Sequence, residues 1–166
     1  TDDLVIWSAG ERVEHNIRCI RLLYQLEQEG REARPEEKWA LTRYAAFGGA
    51  AQALDPRDDK WSKPWEKIQE LLTPDDLESV RSSTPYAFFT PPTVVRAMWD
   101  ALAYLGFEGG HVLEPAMGTG IFWGAMPLDL ALGSMLTGVE MDGISARIAK
   151  QLYPASDIII KRLQRA

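Results

Sequence analysis

The stretch "HVLEPAMGTGIFWGAM", residues 111–126, reads as a strand that runs into a glycine-bearing turn and then into a helix. Glu114 stands where the strand should end. Working outward, "SMLTGVEMD" reads as a second strand ending in acids, "GISARIAKQLY" as a helix, and "SDIII" as a third strand. Upstream, Thr90 followed by Pro91 marks a helix start. Val94, Val95, Met98, Trp99, Leu102 and Leu105 then recur at helical spacing until "FEGG" breaks the run. Strand–helix–strand–helix–strand is half of a doubly wound parallel sheet, whose ligands sit at the carboxyl ends of the strands. The predicted class is α/β, with a helical lobe over residues 1–82 and a partial α/β domain over residues 83–166.

The first 82 residues read as helices punctuated by proline and glycine. "ERVEHNIRCIRLLYQLEQEG" puts Val13, Ile17, Ile20, Leu23 and Tyr24 on one face, with Gly30 as its stop. Asn16 falls inside that apolar arc and reads as a core asparagine bonded to a neighbouring loop rather than as a ligand contact. A second helix is expected from Pro35, with Glu36 and Glu37 in its first turn, to the "FGG" at 47–49. "DPRDDK" reads as a loop and "WSKPWEKIQELL" as a helix. Thr73 caps a further helix whose first turn holds Pro74. Trp39, Trp61 and Trp65 read as packing residues, because no basic residues interleave them on one stripe.

Composition narrows the function classes. No run approaches the ~20 apolar residues that would span a membrane, and the N-terminus lacks the basic-then-apolar pattern of a signal peptide. A single cysteine, Cys19, excludes an internal disulfide framework and suits a reducing cytoplasm. Two histidines, His15 and His111, do not make a plausible zinc site with it. The net charge of −6, with a basic cluster only in the terminal "KRLQRA", predicts weak binding of duplex DNA by this chain alone.

The glycine turn selects among nucleoside ligands. A dinucleotide site wants G-x-G-x-x-G, but after Gly118 and Gly120 the third glycine, Gly124, comes one residue late. No Gly-Lys-Ser/Thr follows, which excludes a P-loop. E-P-x-x-G-x-G fits S-adenosylmethionine better, since glycines let the backbone approach its methionine portion. Glu140, 26 residues after Glu114, stands where a carboxylate can accept both ribose hydroxyls. Met141 can lie against the adenine ring. "GTG" by itself is equally a tight connection with no ligand, and the case for a site rests on its company with Glu114, Glu140 and the "FFTPP" helix start.

Together, "FFTPPTVVRAMWDAL", "VLEPAMGTGIFWG" and "LTGVEMD" resemble the opening motifs of amino-group DNA methyltransferases in their gamma order. "NIRCIRLLYQLEQEGR", "RYAAFGGAAQALD" and "ARIAKQLYP" are similar to the methylase part of large phage and plasmid polypeptides that join an N6-adenine methylase to a helicase. The resemblance implies a Rossmann-like, class I S-adenosylmethionine-dependent fold and methyl transfer to adenine in DNA. It places Phe89, Thr90 and Pro91 at the methionine end of the cofactor. It places Glu114, Pro115, Ala116, Gly118, Thr119 and Gly120 in the glycine-rich motif, and Glu140, with Met141 beside it, at the ribose and adenine. It also covers the "FGG" at 47–49, for which the residues suggest no role beyond a tight turn.

The family's catalytic Asn/Asp-Pro-Pro-aromatic motif, which would hold a flipped adenine, is absent. The Pro91–Pro92 pair opens a helix, and "LDPR" has one proline and no aromatic. After "SDIII", the sequence "KRLQRA" offers no acidic–aromatic pair for the adenine amine. No catalytic residue is expected in this chain, which reads as a fragment or truncated product, inactive alone. A non-catalytic interaction module is the alternative reading. Expected partners are DNA through regions outside the chain, a helicase domain, or a second copy along an open sheet edge.

Overall fold

A computed structural model describes residues 7–162, so Leu163–Ala166 of the terminal "KRLQRA", with one of its three basic residues, lie outside the described residues. It shows a mixed α/β chain in which helices outweigh a small parallel sheet. No helix among the described residues is long and apolar enough to cross a membrane.

The first helix, α1 (Ala9–Glu29), begins at a capping box: Ser8 Oγ accepts the Glu11 N–H while Glu11 accepts the Ser8 N–H. It stops at Gly30, which takes the left-handed conformation. Its buried stripe holds Val13, Ile17, Ile20 and Leu23, joined by Leu26. Asn16 lies in that stripe, bonded to a loop as expected.

That bond corrects the next expectation. Helix α2 (Pro35–Leu41) ends well short of "FGG". Asn16 Nδ2 donates to the Ala46 carbonyl at 2.7 Å, and its Oδ1 accepts the Ala45 N–H at 2.9 Å. These bonds satisfy backbone groups that would otherwise continue the helix, and the chain turns out of it. "FGG" instead opens a 3₁₀ segment, Gly48–Leu54. A Cβ on Gly48 would stand 2.1 Å from the Ala87 carbonyl oxygen, so glycine is required for the lobe to close on that strand of chain.

A short 3₁₀ turn, Asp59–Trp61, precedes α3 (Ser62–Leu71), so the helix expected over 61–72 starts one residue late. In α4 (Pro74–Ser83), Thr73 caps the Asp76 N–H as predicted. Of the tryptophans, Trp61 packs on the lobe core, and Trp65 lies 4.9 Å beneath the Arg81 guanidinium. Trp39 is not a packing residue: it is 58% exposed, with Arg43 over its ring.

Helix α5 (Pro92–Tyr104) buries only Val95 and Trp99 of its predicted face; Val94, Met98, Leu102 and Leu105 are exposed. Strand β1 (Gly110–Glu114) leads into α6 (Ile121–Gly124), which is cut short before Pro127. Pro127 in turn caps α7 (Leu128–Leu132), a helix the apolar pattern did not signal. Strand β2 (Ser134–Glu140), α8 (Gly143–Leu152) and β3 (Asp157–Ile160) follow. All strand pairs are parallel in the order β1-β2-β3, leaving β1 with one neighbour among the described residues. Val112 and Leu136 face a cluster built on Val95, Trp99, Met126 and Leu130, while His111, Leu113 and Met135 point the other way and are exposed.

Helix α8 is shared. Ile144 and Ile148 belong to the core formed with α1, while Ala146 and Ala149 pack with Met117, Trp123 and Ile158 on the sheet side. Polar contacts reinforce the junction. Arg147 and the Tyr24 hydroxyl both donate to Asp76, at 2.8 and 2.6 Å, and the Ala33 N–H donates to Gln151 at 2.8 Å.

Gly48→Ala tests the close approach of the "FGG" segment to Ala87. Neither partner at the clash is a flexible side-chain end, so overpacking is expected to lower the unfolding free energy by about 2–3 kcal/mol in urea titration.

Candidate functional site

Glu140, the last residue of β2, is the centre of the site. The Gly118 N–H donates to its Oε2 at 2.7 Å and the Asp142 N–H to its Oε1 at 2.8 Å. One carboxylate therefore ties the glycine turn after β1 to the start of α8. The turn is closed by Gly120 N–H donating to the Met117 carbonyl at 2.8 Å, and fastened to β2 by Met117 N–H donating to the Val139 carbonyl at 3.1 Å.

Both glycines of the turn have positive φ, 55° at Gly118 and 87° at Gly120. Their space is also taken by protein. A Cβ at Gly118 would lie 2.5 Å from the Phe89 ring, and one at Gly120 would lie 2.4 Å from the Tyr153 ring. Tyr153 further donates its hydroxyl to the Gly120 carbonyl at 2.7 Å. Left-handed backbone and two packed aromatics thus account for these glycines, in place of the expected direct approach of a ligand.

Asp142 is buried at the N-terminus of α8, where it accepts from the Ile144 and Ser145 N–H groups and from the Ser145 and Ser79 hydroxyls. Ser79 also accepts the Gly143 N–H at 2.9 Å, so α4 is fastened to the same helix start. Burial pushes the carboxyl of Asp142 up, against the pull of those donors. Burial likewise raises Glu140, opposed by the N–H groups of Asp142 and Gly118, and raises Glu114, opposed by the Ala116 N–H.

These elements enclose a cleft of about 100 Å³. Phe89, Ala116, Gly118, Glu140 and Met141, which the sequence reading assigns to the cofactor, line it. Thr90, Pro91, Glu114, Pro115, Thr119 and Gly120 do not: Pro91 caps α5, Glu114 ends β1 half-buried, and Gly120 is buried against Tyr153. The sequence reading missed the opposite wall: Ala46 from the helical lobe, Ser83, Tyr86 and Ala87 from the segment that follows it, and Asp142 and Ser145 from the start of α8. Two signals pointed there, the polar Asn16 in an apolar stripe and the unexplained "FGG". Among the described residues the lining includes two carboxylates and no lysine or arginine.

A larger, shallower depression of about 390 Å³ lies beside the 3₁₀ segment and has no such convergence. Its Arg57 is paired with Asp55, and its Arg81 donates to the Leu54 carbonyl and covers Trp65.

No known protein-family model matches the chain, and no solved structure matches it. A stretch of 73 residues, 44% of the chain, is 30% identical to Defense against restriction protein B of Escherichia phage P1. The matched stretch takes in 3% of that protein. This corrects the resemblance drawn from "FFTPP", "VLEPAMGTG" and "LTGVEMD". The relative found is named for defence against restriction, not for methyl transfer, so assignment to the gamma-order DNA methyltransferases is withdrawn.

The raised carboxyls set a pH dependence. Glu114 and Glu140 hold protons more tightly folded than unfolded, so the stability they contribute is full below their unfolded value of about 4.5 and is lost as pH rises through the folded values. At the acid end, Glu37 and Asp55, held down to about 2 by Arg31 and Arg57, lose their contribution as pH falls below the usual carboxylate range. His15 acts in the opposite sense, because burial and then Arg43 lower its proton affinity in the folded state, so acidification through the usual histidine range costs stability there. Glu114→Gln is expected to remove part of the gain in melting temperature on acidification toward the usual carboxylate range, read as the difference between variant and parent melts across pH.

Proposed function

We propose that the chain binds S-adenosylmethionine in the cleft between the glycine turn and the helical lobe, on a Rossmann-like arrangement of β1, β2 and α8. The Glu140 carboxylate carries the reading. Its oxygens accept the Gly118 and Asp142 N–H groups, and the Met141 N–H is also directed at the carboxylate. An ionised carboxylate has about four acceptor positions, so capacity remains for a hydroxyl of a ribose. Met141 and Phe89 supply apolar surface beside it. The charge of the lining argues in the same direction. Carboxylates without a cation disfavour the pyrophosphate of a dinucleotide and suit the sulfonium and ammonium of S-adenosylmethionine.

The activity such a cofactor would serve is methyl transfer to an adenine amino group in DNA by a larger protein. Likeness to a protein of defence against restriction agrees with a DNA context, since restriction acts on DNA. The Asn/Asp-Pro-Pro-aromatic motif that would hold a flipped base is not in this sequence, so on this reading the base would be held by residues outside this chain, with a helicase domain among the partners there. The cytoplasm, where Cys19 stays reduced, is the compartment this reading requires.

A second reading, a non-catalytic interaction module, is favoured by one observation. The free space of about 100 Å³ is small against the ~300–1,000 Å³ of pockets that enclose a drug-sized ligand, and it admits part of the cofactor only.

Calorimetric titration with S-adenosylmethionine separates the two. The cofactor reading expects saturable binding that Glu140→Ala weakens by about 2–3 kcal/mol, the scale for losing a charged hydrogen-bond partner. Absence of binding by the parent chain supports the interaction module.

The partner we propose for the sheet is a second copy of this chain. Among the described residues the outer edge of β1 has no strand neighbour, Leu113 of β1 and Met135 of β2 are 58% and 65% exposed on one face of the sheet, and parallel sheets are ordinarily covered on both faces. Light scattering is expected to show concentration-dependent association, reduced by Leu113→Lys. A chain that stays monomeric at high concentration would show that β1 needs no cover.

A further inference from the structure

Three observations converge on the cleft wall that the helical lobe supplies. Ala46 has φ 48°, the one left-handed residue other than glycine among those described. That conformation is disfavoured for an L residue by roughly 1–2 kcal/mol, and backbone of this kind persists only where its surroundings impose it. The surroundings are Asn16, fully buried, whose amide spends its Nδ2 on the Ala46 carbonyl and its Oδ1 on the Ala45 N–H. Ala46 itself lines the cleft on which Glu140, Met141 and Phe89 also open.

We infer that Asn16 is a positioning residue of the nucleoside cleft. It holds Ala46 in its left-handed conformation so that the lobe presents a small apolar surface to the bound adenosine moiety. The inference rests on the proposed cofactor reading. A turn needed only to end α2 would place glycine at position 46, where positive φ carries no steric penalty. Alanine there keeps the conformation in a residue that is 3% exposed, packed in the core of the helical lobe and lining the cleft. Gly48 makes the same wall possible from the other side, since only a residue without Cβ lets the turn lie against Ala87, itself a lining residue. The "FGG" segment and the buried Asn16 therefore share one task, bringing the helical lobe against the site formed by the glycine turn.

Three variants of the full chain test this against S-adenosylmethionine and S-adenosylhomocysteine by calorimetry, with melting followed by circular dichroism. Ala46→Gly removes the backbone penalty together with a methyl group packed in the lobe core, two opposed effects on stability, and should bind both ligands about three- to tenfold more weakly at a temperature where it is folded. Asn16→Ala should weaken both by about tenfold or more, measured at a temperature where it is folded. Leu26→Ala, a core truncation on the same helix and outside the cleft, should melt lower while its folded form keeps the parent affinity. A purely structural role for Asn16 and Ala46 predicts loss of melting temperature without loss of affinity. Parent-like affinity in Ala46→Gly overturns the inference and leaves the cofactor reading standing, even if Asn16→Ala fails to fold. A parent chain that binds neither ligand overturns both.

Discussion

Helix α8 is buried on two sides at once, and the rest of the structure is arranged by that constraint. Ile144 and Ile148 complete the core of the helical lobe, and Ala146 and Ala149 let the opposite side lie close on the sheet. A surface helix needs one apolar stripe, but one held between two layers needs two, and the small residues decide which side comes closest. The polar residues between the stripes then find partners across the junction: Arg147 on Asp76, and Gln151 on the Ala33 N–H. The lobe and the sheet thereby meet in a definite orientation, which is what allows a cleft between them to have a shape.

The start of the same helix carries the electrostatics of the site. Asp142 caps it from a buried position and Ser79 of α4 reaches its first N–H group. Two residues earlier Glu140 captures backbone from both flanking segments. Buried carboxyls are tolerated here because each accepts several donors, mostly backbone N–H groups at fixed positions. The Gly118 and Asp142 N–H groups hold the Glu140 carboxylate in place, so under the proposed reading a ribose would meet an acceptor fixed by the backbone.

The glycine turn has two explanations that act together. Its positive φ values and the rings of Phe89 and Tyr153 suffice to require Gly118 and Gly120. Those same contacts place Phe89 in the cleft lining and hold the Gly118 N–H on Glu140. Packing that fixes the turn therefore also shapes the pocket, and a strand–turn–helix motif read as ligand chemistry proves to be supported first by protein contacts. The similarity to Defense against restriction protein B covers under half the chain and leaves this geometry as the basis for the functional reading.

Much of the local structure was determined by short-range physics and was legible in sequence. Ser8 with Glu11, Thr73 with Pro74, and Gly30 mark helix ends because capping and left-handed turns involve neighbours in the chain. The strands, the glycine turn and the place of Glu140 at the end of β2 followed from the alternation of apolar runs with turn residues, while the bond from the Gly118 N–H to Glu140 did not. What tertiary structure alone decided is where long-range contacts override local pattern. The early end of α2 depends on Asn16, some thirty residues away in sequence, whose amide competes for the backbone of Ala45 and Ala46. The exposure of Val94, Met98 and Leu102 cannot be read from their spacing, because periodicity gives the face of a helix and not whether anything covers it. The lobe-side wall of the cleft was hidden for the same reason: Ala46, Ser83 and Ala87 carry no chemical signature, and become part of a site only because Gly48 and α8 bring them to it.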